Sequence, residues 1–181
     1  CFFVEWKKLV KSKIPILSLL GVSFIPLMGA FFMFILKDPL AARRLGFIST
    51  KASLIGTADW PSYFRLLAQA TSVGGLIVFG FVFAWIFGRE YADRTLQDLL
   101  ALPIPRQTIV GAKFAAALFW CLFLSLYILS VGLLGGRFVD IPGWSRSVFA
   151  AGSRLLLLSS LLTILVSTPV AFFASLGRGY L

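Results

Sequence analysis

Histidine is missing from all 181 residues, and cysteine occurs only twice, at Cys1 and Cys121. The first absence excludes bis-histidine haem, histidine zinc sites and histidine-based catalytic triads. Two cysteines cannot build a disulfide framework, and Cys121 sits in an apolar run, where its ordinary role is that of a small buried apolar residue. Charge is scarce: Asp, Glu, Lys and Arg make up 13% of the chain, against about a quarter in soluble domains. No G-x-x-x-x-G-K-[ST] occurs, so the chain lacks a phosphate-cradling loop, and H-E-x-x-H, C-x-x-C and G-x-S-x-G are absent too. Glu90, Asp93 and Asp98 lie close together, but Arg89 and Arg94 neutralise them and leave no cluster for two-metal chemistry.

What the chain has is apolar length. Hydrophobic residues are 59% of it, and four uncharged runs stand out: 14–36, 66–87, about 114–134 and 155–177. Each is long enough to cross a hydrocarbon core of about 30 Å as a helix. Strand-like alternation is absent, and an unclosed strand would leave backbone groups unpaired in lipid. The expectation is an all-α, polytopic transmembrane helix bundle forming a single transmembrane domain over 1–181. No run carries an ionisable residue in its interior, which argues against a proton- or sodium-driven transporter. The first run is too long for a signal-peptide core and has no clear cleavage site after it. The chain opens without methionine and stops just past the fourth run, so trimming at both ends is expected. The net charge of +10 comes from bases flanking apolar runs, which points to anionic membrane lipids rather than nucleic acid.

Ahead of the first run, "CFFVEWKKLVKSK" places Phe2, Phe3, Trp6, Leu9 and Val10 at helical spacing, with Glu5, Lys8, Lys11 and Ser12 turned away. This predicts an amphipathic interfacial helix over 2–13, with Phe2, Phe3 and Trp6 in the headgroup layer beside Lys7, Lys8 and Lys11. Pro15 falls in the first turn of the first span; Pro26 is central and should kink it. In "TADWPSYFRLL", Asp59 can cap a helix with Pro61 in its first turn, placing Trp60 and Tyr63 at a membrane–water boundary, where Trp85 would mark the far side. Gly74, Gly75 and Gly80 permit close helix approach. "GGRFVDIPGWSRS" reads as a connector. Ser159, Thr163 and Ser167 recur at steps of four on one face. They are candidates to line a substrate path, although such hydroxyls more often bond their own carbonyls or glue helices together. Lysine and arginine number nine on one side of the expected membrane and eight on the other, so charge does not set topology; the four lysines before the first span favour a cytoplasmic start.

The segment 88–113, within "FGREYADRTLQDLLALPIPRQTIVGAKF", holds three of the seven acids. Residues 89–102 can form a helix of about four turns, with Glu90, Arg94 and Asp98 in an i, i+4 ladder and Leu96, Leu99 and Leu100 on a common face. Leu102 ends the run, and Pro103 and Pro105 stop it. Arg106 and Lys113 bracket a second helix start. A solvated cap would not need these leucines; a docking groove on a partner would.

This segment resembles the loop between the second and third spans in permeases of type-2 ATP-binding-cassette transporters. The matching positions are Phe87, Glu90, Tyr91, Thr95, Leu96, Leu99, Leu100, Pro103, Arg106 and Lys113. "EWKKLVKSK" is similar to the family's basic N-terminal helix, and "DWPSYFRLL" to its approach to the second span. The resemblance covers residue 2 to about 114. It implies a cytoplasmic coupling helix docked on an ATPase, two such ATPase subunits carrying the ATP and magnesium, and a second permease chain, the same or related. It implies no cofactor and no catalysis on this chain. A plasma (inner) membrane location and six spans in the whole protein are implied as well. The function so implied is ATP-driven transport, an exporter of peptides, antibiotics or other amphipathic compounds being foremost. The residues alone leave open a structural or assembly subunit of another membrane complex. A lipid-modifying enzyme is disfavoured by the missing histidine and carboxylate cluster.

Overall fold

The computed structural model describes residues 2–37, 58–92 and 105–176, the side chains of 90–92, 106 and 176 excepted. These residues form five helices: α1 Phe2–Val10, α2 Ile14–Lys37, α3 Trp60–Ala92, α4 Arg106–Phe138 and α5 Arg146–Leu176. The last four are long and apolar enough to cross a membrane, so the expected all-α architecture of four spans is what is found. The helices overrun the apolar runs. α3 and α4 have 33 residues each, about 50 Å at a rise of ~1.5 Å per residue, well beyond a ~30 Å slab. Once a helix is nucleated, each further residue adds a hydrogen bond at little cost, so the polar flanks continue it until a breaker intervenes.

Several expected boundaries move for that reason. The connector "GGRFVDIPGWSRS" is helical through Phe138. In the other direction, the N-terminal helix ends at Val10, not at residue 13. Ser12 makes the corner: its Oγ donates to the Leu9 carbonyl at 2.6 Å and accepts from the Ile14 amide at 3.2 Å. A serine that serves both helix ends breaks the periodicity that residues 11–13 would otherwise extend.

The spans alternate in direction. α2 and α4 run parallel, joined by Trp120 Nε1 donating to Ser18 Oγ (3.1 Å) and by the Ser23–Tyr127 hydroxyl pair (2.9 Å). α3 and α5 are also parallel and form the most extensive helix contact. Phe64 faces Gly152, Ser72 meets Ser159, and Gly80 faces Val170 along their length. Of the three glycines expected to admit a neighbour, Gly74 receives Ile25 of α2 and Gly80 receives Val170, while Gly75 meets only its own helix.

The closest seats lie elsewhere. A Cβ at Gly136 would stand 2.5 Å from the Trp60 ring, and one at Gly152 would collide with the Phe64 ring. Trp60, Tyr63 and Phe64, on the first turns of α3, are buried at 2%, 0% and 2% exposure, so Trp60 and Tyr63 fill the bundle interior instead of presenting their rings to a headgroup layer. Tyr63 Oη donates to the Gly132 carbonyl at 3.0 Å, and Trp144 packs edge-on to Trp60 at 4.7 Å. The cap at this end is as expected: Asp59 Oδ1 accepts from the Ser62 amide at 2.9 Å.

At the same end α4 closes in a Schellman motif. The Ile141 amide donates to the Gly136 carbonyl and the Asp140 amide to that of Arg137. Asp140 occupies the left-handed position with φ 54°, where glycine is usual. Lys37, the last residue of α2, donates to the carbonyls of Val139 (3.0 Å) and Asp140 (2.8 Å), placing a cation on the negative end of α4.

Three outcomes follow for thermal stability in detergent, read by fluorescence-detected size-exclusion chromatography. Gly136→Ala or Gly152→Ala should destabilise the bundle by about 1–3 kcal/mol through overpacking. Gly111→Ala, where a Cβ meets nothing within 4 Å, should be neutral or stabilising. Asp140→Gly should raise the melting temperature, because relief of about 1–2 kcal/mol at a left-handed position exceeds the worth of an exposed 3.4 Å ion pair.

Candidate functional site

The opposite end of the bundle gathers α1, the last turns of α3 and the first turns of α4. α1 is held there chiefly by α4. Trp6 meets Phe119 edge-on at 5.1 Å and Trp120 at 6.1 Å, and Leu9 is 1% exposed. The expected apolar stripe of α1 therefore divides. Trp6 and Leu9 turn inward, Phe2 stacks on Trp6 at 6.3 Å, and Phe3, Val4 and Val10 stay exposed. Of the lysines here, Lys7 of α1 and Lys11 just after it are exposed, and Lys8 pairs with Glu5 at 2.9 Å.

α3 and α4 are tied together close to where the chain leaves the apolar slab. Phe114 packs between Phe83 (6.1 Å) and Phe87 (4.8 Å). Beside them Lys113 is buried, 4% exposed; its Nζ donates to the Ile86 carbonyl at 3.3 Å and lies 5.6 Å from the centre of the Phe87 ring. A desolvated ammonium gains substantially from such a carbonyl and ring face. Arg89 binds α1 to α3: its guanidinium donates to the Lys8 carbonyl at 3.3 Å and stacks over Trp85 at 5.0 Å.

Against this frame the expected coupling residues divide into three groups. Arg94, Thr95, Leu96, Leu99, Leu100, Leu102 and Pro103 lie outside the described residues. Glu90 and Tyr91 belong to the last turn of α3, so the helix expected to start afresh at residue 89 begins as an uninterrupted continuation of the second span. Gly88 is the only weak helix former there, and one glycine costs only about 1 kcal/mol. Pro105 is extended, φ −59° and ψ 133°, and Arg106 opens α4 directly after it, as the sequence predicts.

The Ser159, Thr163 and Ser167 stripe lies on the α5 face packed against α3. Ser159 Oγ donates to the Ala68 carbonyl at 3.2 Å, and Thr163 and Ser167 donate to carbonyls four residues back on their own helix, each at 2.8 Å. Among the described residues no three of His, Cys, Asp and Glu come together as metal ligands. Sequence reasoning placed Lys113 only at the rim of the third span. Its position two turns inside α4, next to Phe114, is the signal that could have marked it as a buried cation.

Comparison with known proteins supplies the context. A family model described as "ABC-2 family transporter protein" matches residues 2–181. The chain is 28% identical over 106 residues to the bacitracin transport permease protein BCRB of Bacillus licheniformis, an alignment covering 59% of this chain and 51% of the relative. It thus spans about half the length of that curated relative. No solved structure matches. With four spans on one helical bundle and a family match over nearly its whole length, the chain belongs to the ABC-2 family of transporters as a multi-pass membrane permease.

Proposed function

We propose that this chain is the non-catalytic membrane subunit of an ATP-driven exporter and works with separate ATPase subunits, two per complex, and a second permease chain. ATP and magnesium would be held on the ATPases. One observation carries the reading: α3 and α4 run well past the apolar slab at one end and are locked to each other there by Lys113, Phe87 and Phe114. A segment suspended between two such helices can deliver a push to both spans at once. Leu96, Leu99 and Leu100 would dock on the ATPase, Glu90 and Arg94 would stiffen the lever, and Pro103 and Pro105 would set its corner.

The same geometry supports an orientation for the chain. The Arg89–Lys8 contact puts α1 at the end from which this segment leaves. A segment facing cytoplasmic ATPases would carry the N-terminus to the cytoplasm of the plasma (inner) membrane, the side that the four lysines before the first span also favour. α1 would lie along that surface as an interfacial helix. A path lined by Ser159, Thr163 and Ser167 would require α5 to part from α3, since the described arrangement closes that face. Cargo of the class named for the Bacillus licheniformis relative, bacitracin-like compounds, is the reading favoured among peptides, antibiotics and other amphipathic molecules.

The test is reconstitution of the full-length permease with its co-purifying ATPase. Leu99→Ala with Leu100→Ala should abolish substrate-stimulated ATP hydrolysis while the chromatographic profile stays unchanged. Lys113→Met should keep ATPase binding yet reduce transport by roughly ten- to a hundredfold, the loss of a charged hydrogen bond being worth about 1.5–3 kcal/mol. Normal coupling in the leucine variant would remove the lever reading. Isolation of the permease in a stable complex lacking any ATPase would make it a structural subunit.

A further inference from the structure

A seam with heptad spacing runs along α3 through both halves of the span. In the half nearer Ala92 its members Phe79, Phe83 and Ile86 are buried in this chain's own bundle. Toward Trp60 the same alternating steps of three and four lead back through Leu76, Ser72, Gln69 and Arg65. All four are exposed. The seam is therefore packed at one end of the helix and bare at the other, and its bare half has the spacing that receives a second helix.

Gln69 narrows the choice of that helix. It lies three residues inside the apolar run that starts at Leu66, a depth of about 5 Å. Its side chain makes no hydrogen bond among the described residues, whereas the Ser72 hydroxyl has the Ala68 carbonyl and Ser159 within reach. The outward faces of α2 and α5 are apolar in the slab, with Phe24, Leu27 and Phe31 on one and Leu158, Leu162 and Leu165 on the other. Lipid tails suit those faces but offer an amide nothing. A carboxamide both donates and accepts, so a second Gln69 satisfies it. Two copies inserted the same way run their α3 helices parallel, and on a parallel seam like positions meet. Arg65, one turn nearer the boundary, has a stem long enough to take its charge out to water, so the like charges can part.

We propose that a second copy of this chain covers the bare seam, α3 against α3, with the two Gln69 amides bonded to each other and Ser72 and Leu76 packed below them. The amide pair fixes which turns of the two helices meet, as a single polar residue does on an otherwise apolar seam. This rests on the reading that the chain works with a second permease, and it names the surface and the partner.

The experiment uses the full-length permease in liposomes, with Cys1→Ala and Cys121→Ala as background and copper phenanthroline as oxidant. Ser72→Cys and Leu76→Cys should each give a disulfide-linked product of twice the permease mass. Leu158→Cys, level with Ser72 but on the outward face of α5, should not. Energy transfer between labelled copies, followed as the protein is diluted in lipid, should show Gln69→Leu weakening association by roughly three- to thirtyfold, the span of interhelical hydrogen bonds in membranes. Gln69→Asn, which keeps the amide, should lose less. Three results would each overturn the proposal. Association without the double-mass product at Ser72 and Leu76 would put the second copy on another face and leave the seam to lipid or to a later span of the same chain. Association unchanged by Gln69→Leu would mean that the amide finds water or headgroups instead. Both of these leave the proposed function standing. A permease that stays monomeric at every dilution would remove the second copy, and with it the reading that two such chains work together.

Discussion

Lipid tails are as apolar as leucine, so a helix in a bilayer has no hydrophobic reason to lie against its neighbour. What remains is close fit and hydrogen bonding, and this bundle concentrates both along one edge of α3. Trp60 enters the space of Gly136, Phe64 that of Gly152 and Leu67 that of Gly132, while Tyr63 donates to the Gly132 carbonyl. Lower down, the Ser72 and Ser159 hydroxyls and the Ala68 carbonyl lie within hydrogen-bond reach of one another and continue the fit between α3 and α5. Double-mutant measurements in membrane proteins value such polar contacts at only about 0.6 kcal/mol each, so the inserted rings dominate. The remaining spans are arranged around a helix already fixed on two sides.

The two ends of the bundle are built by different chemistry. Where α3 begins, rings fill glycine positions, a Schellman turn closes α4, and Lys37 covers its last carbonyls. Where α3 ends, the ties are cationic: Lys113 on the Ile86 carbonyl and Arg89 on the Lys8 carbonyl, each also over an aromatic face. Such contacts bind well in a dry setting and can re-form after a small displacement, since an ammonium or guanidinium accepts several partner positions. An end made this way can take up motion that the ring-filled end resists. It is also where α1 meets the spans.

Local pattern carried a good part of this. The four spans were legible because about twenty uncharged apolar residues admit few other structures in water or lipid, and Asp59 and Pro105 announced the starts of α3 and α4 by capping and chain-breaking chemistry. The ends of helices were less legible. Nothing between Phe87 and Ala92 breaks a helix, so the change from apolar to charged at Arg89 marked a change of environment that looked like a change of structure. α1 showed the same limit. Its periodicity was right through Val10, but Trp6 and Leu9 sit against α4, about 110 residues away in sequence, whereas Phe3 and Val4 do not.

The sequence by itself determined a helical, four-span membrane permease, because hydropathy and the residue pattern of the segment 87–114 are local properties. Tertiary structure decided the uses of individual side chains: that glycines 136 and 152 are seats for rings, that Lys113 is buried, and that Arg89 reaches the Lys8 carbonyl of α1. Those depend on which helices become neighbours and at what rotation. A glycine, a lysine or an arginine carries no mark of the partner it will meet from a distant part of the chain.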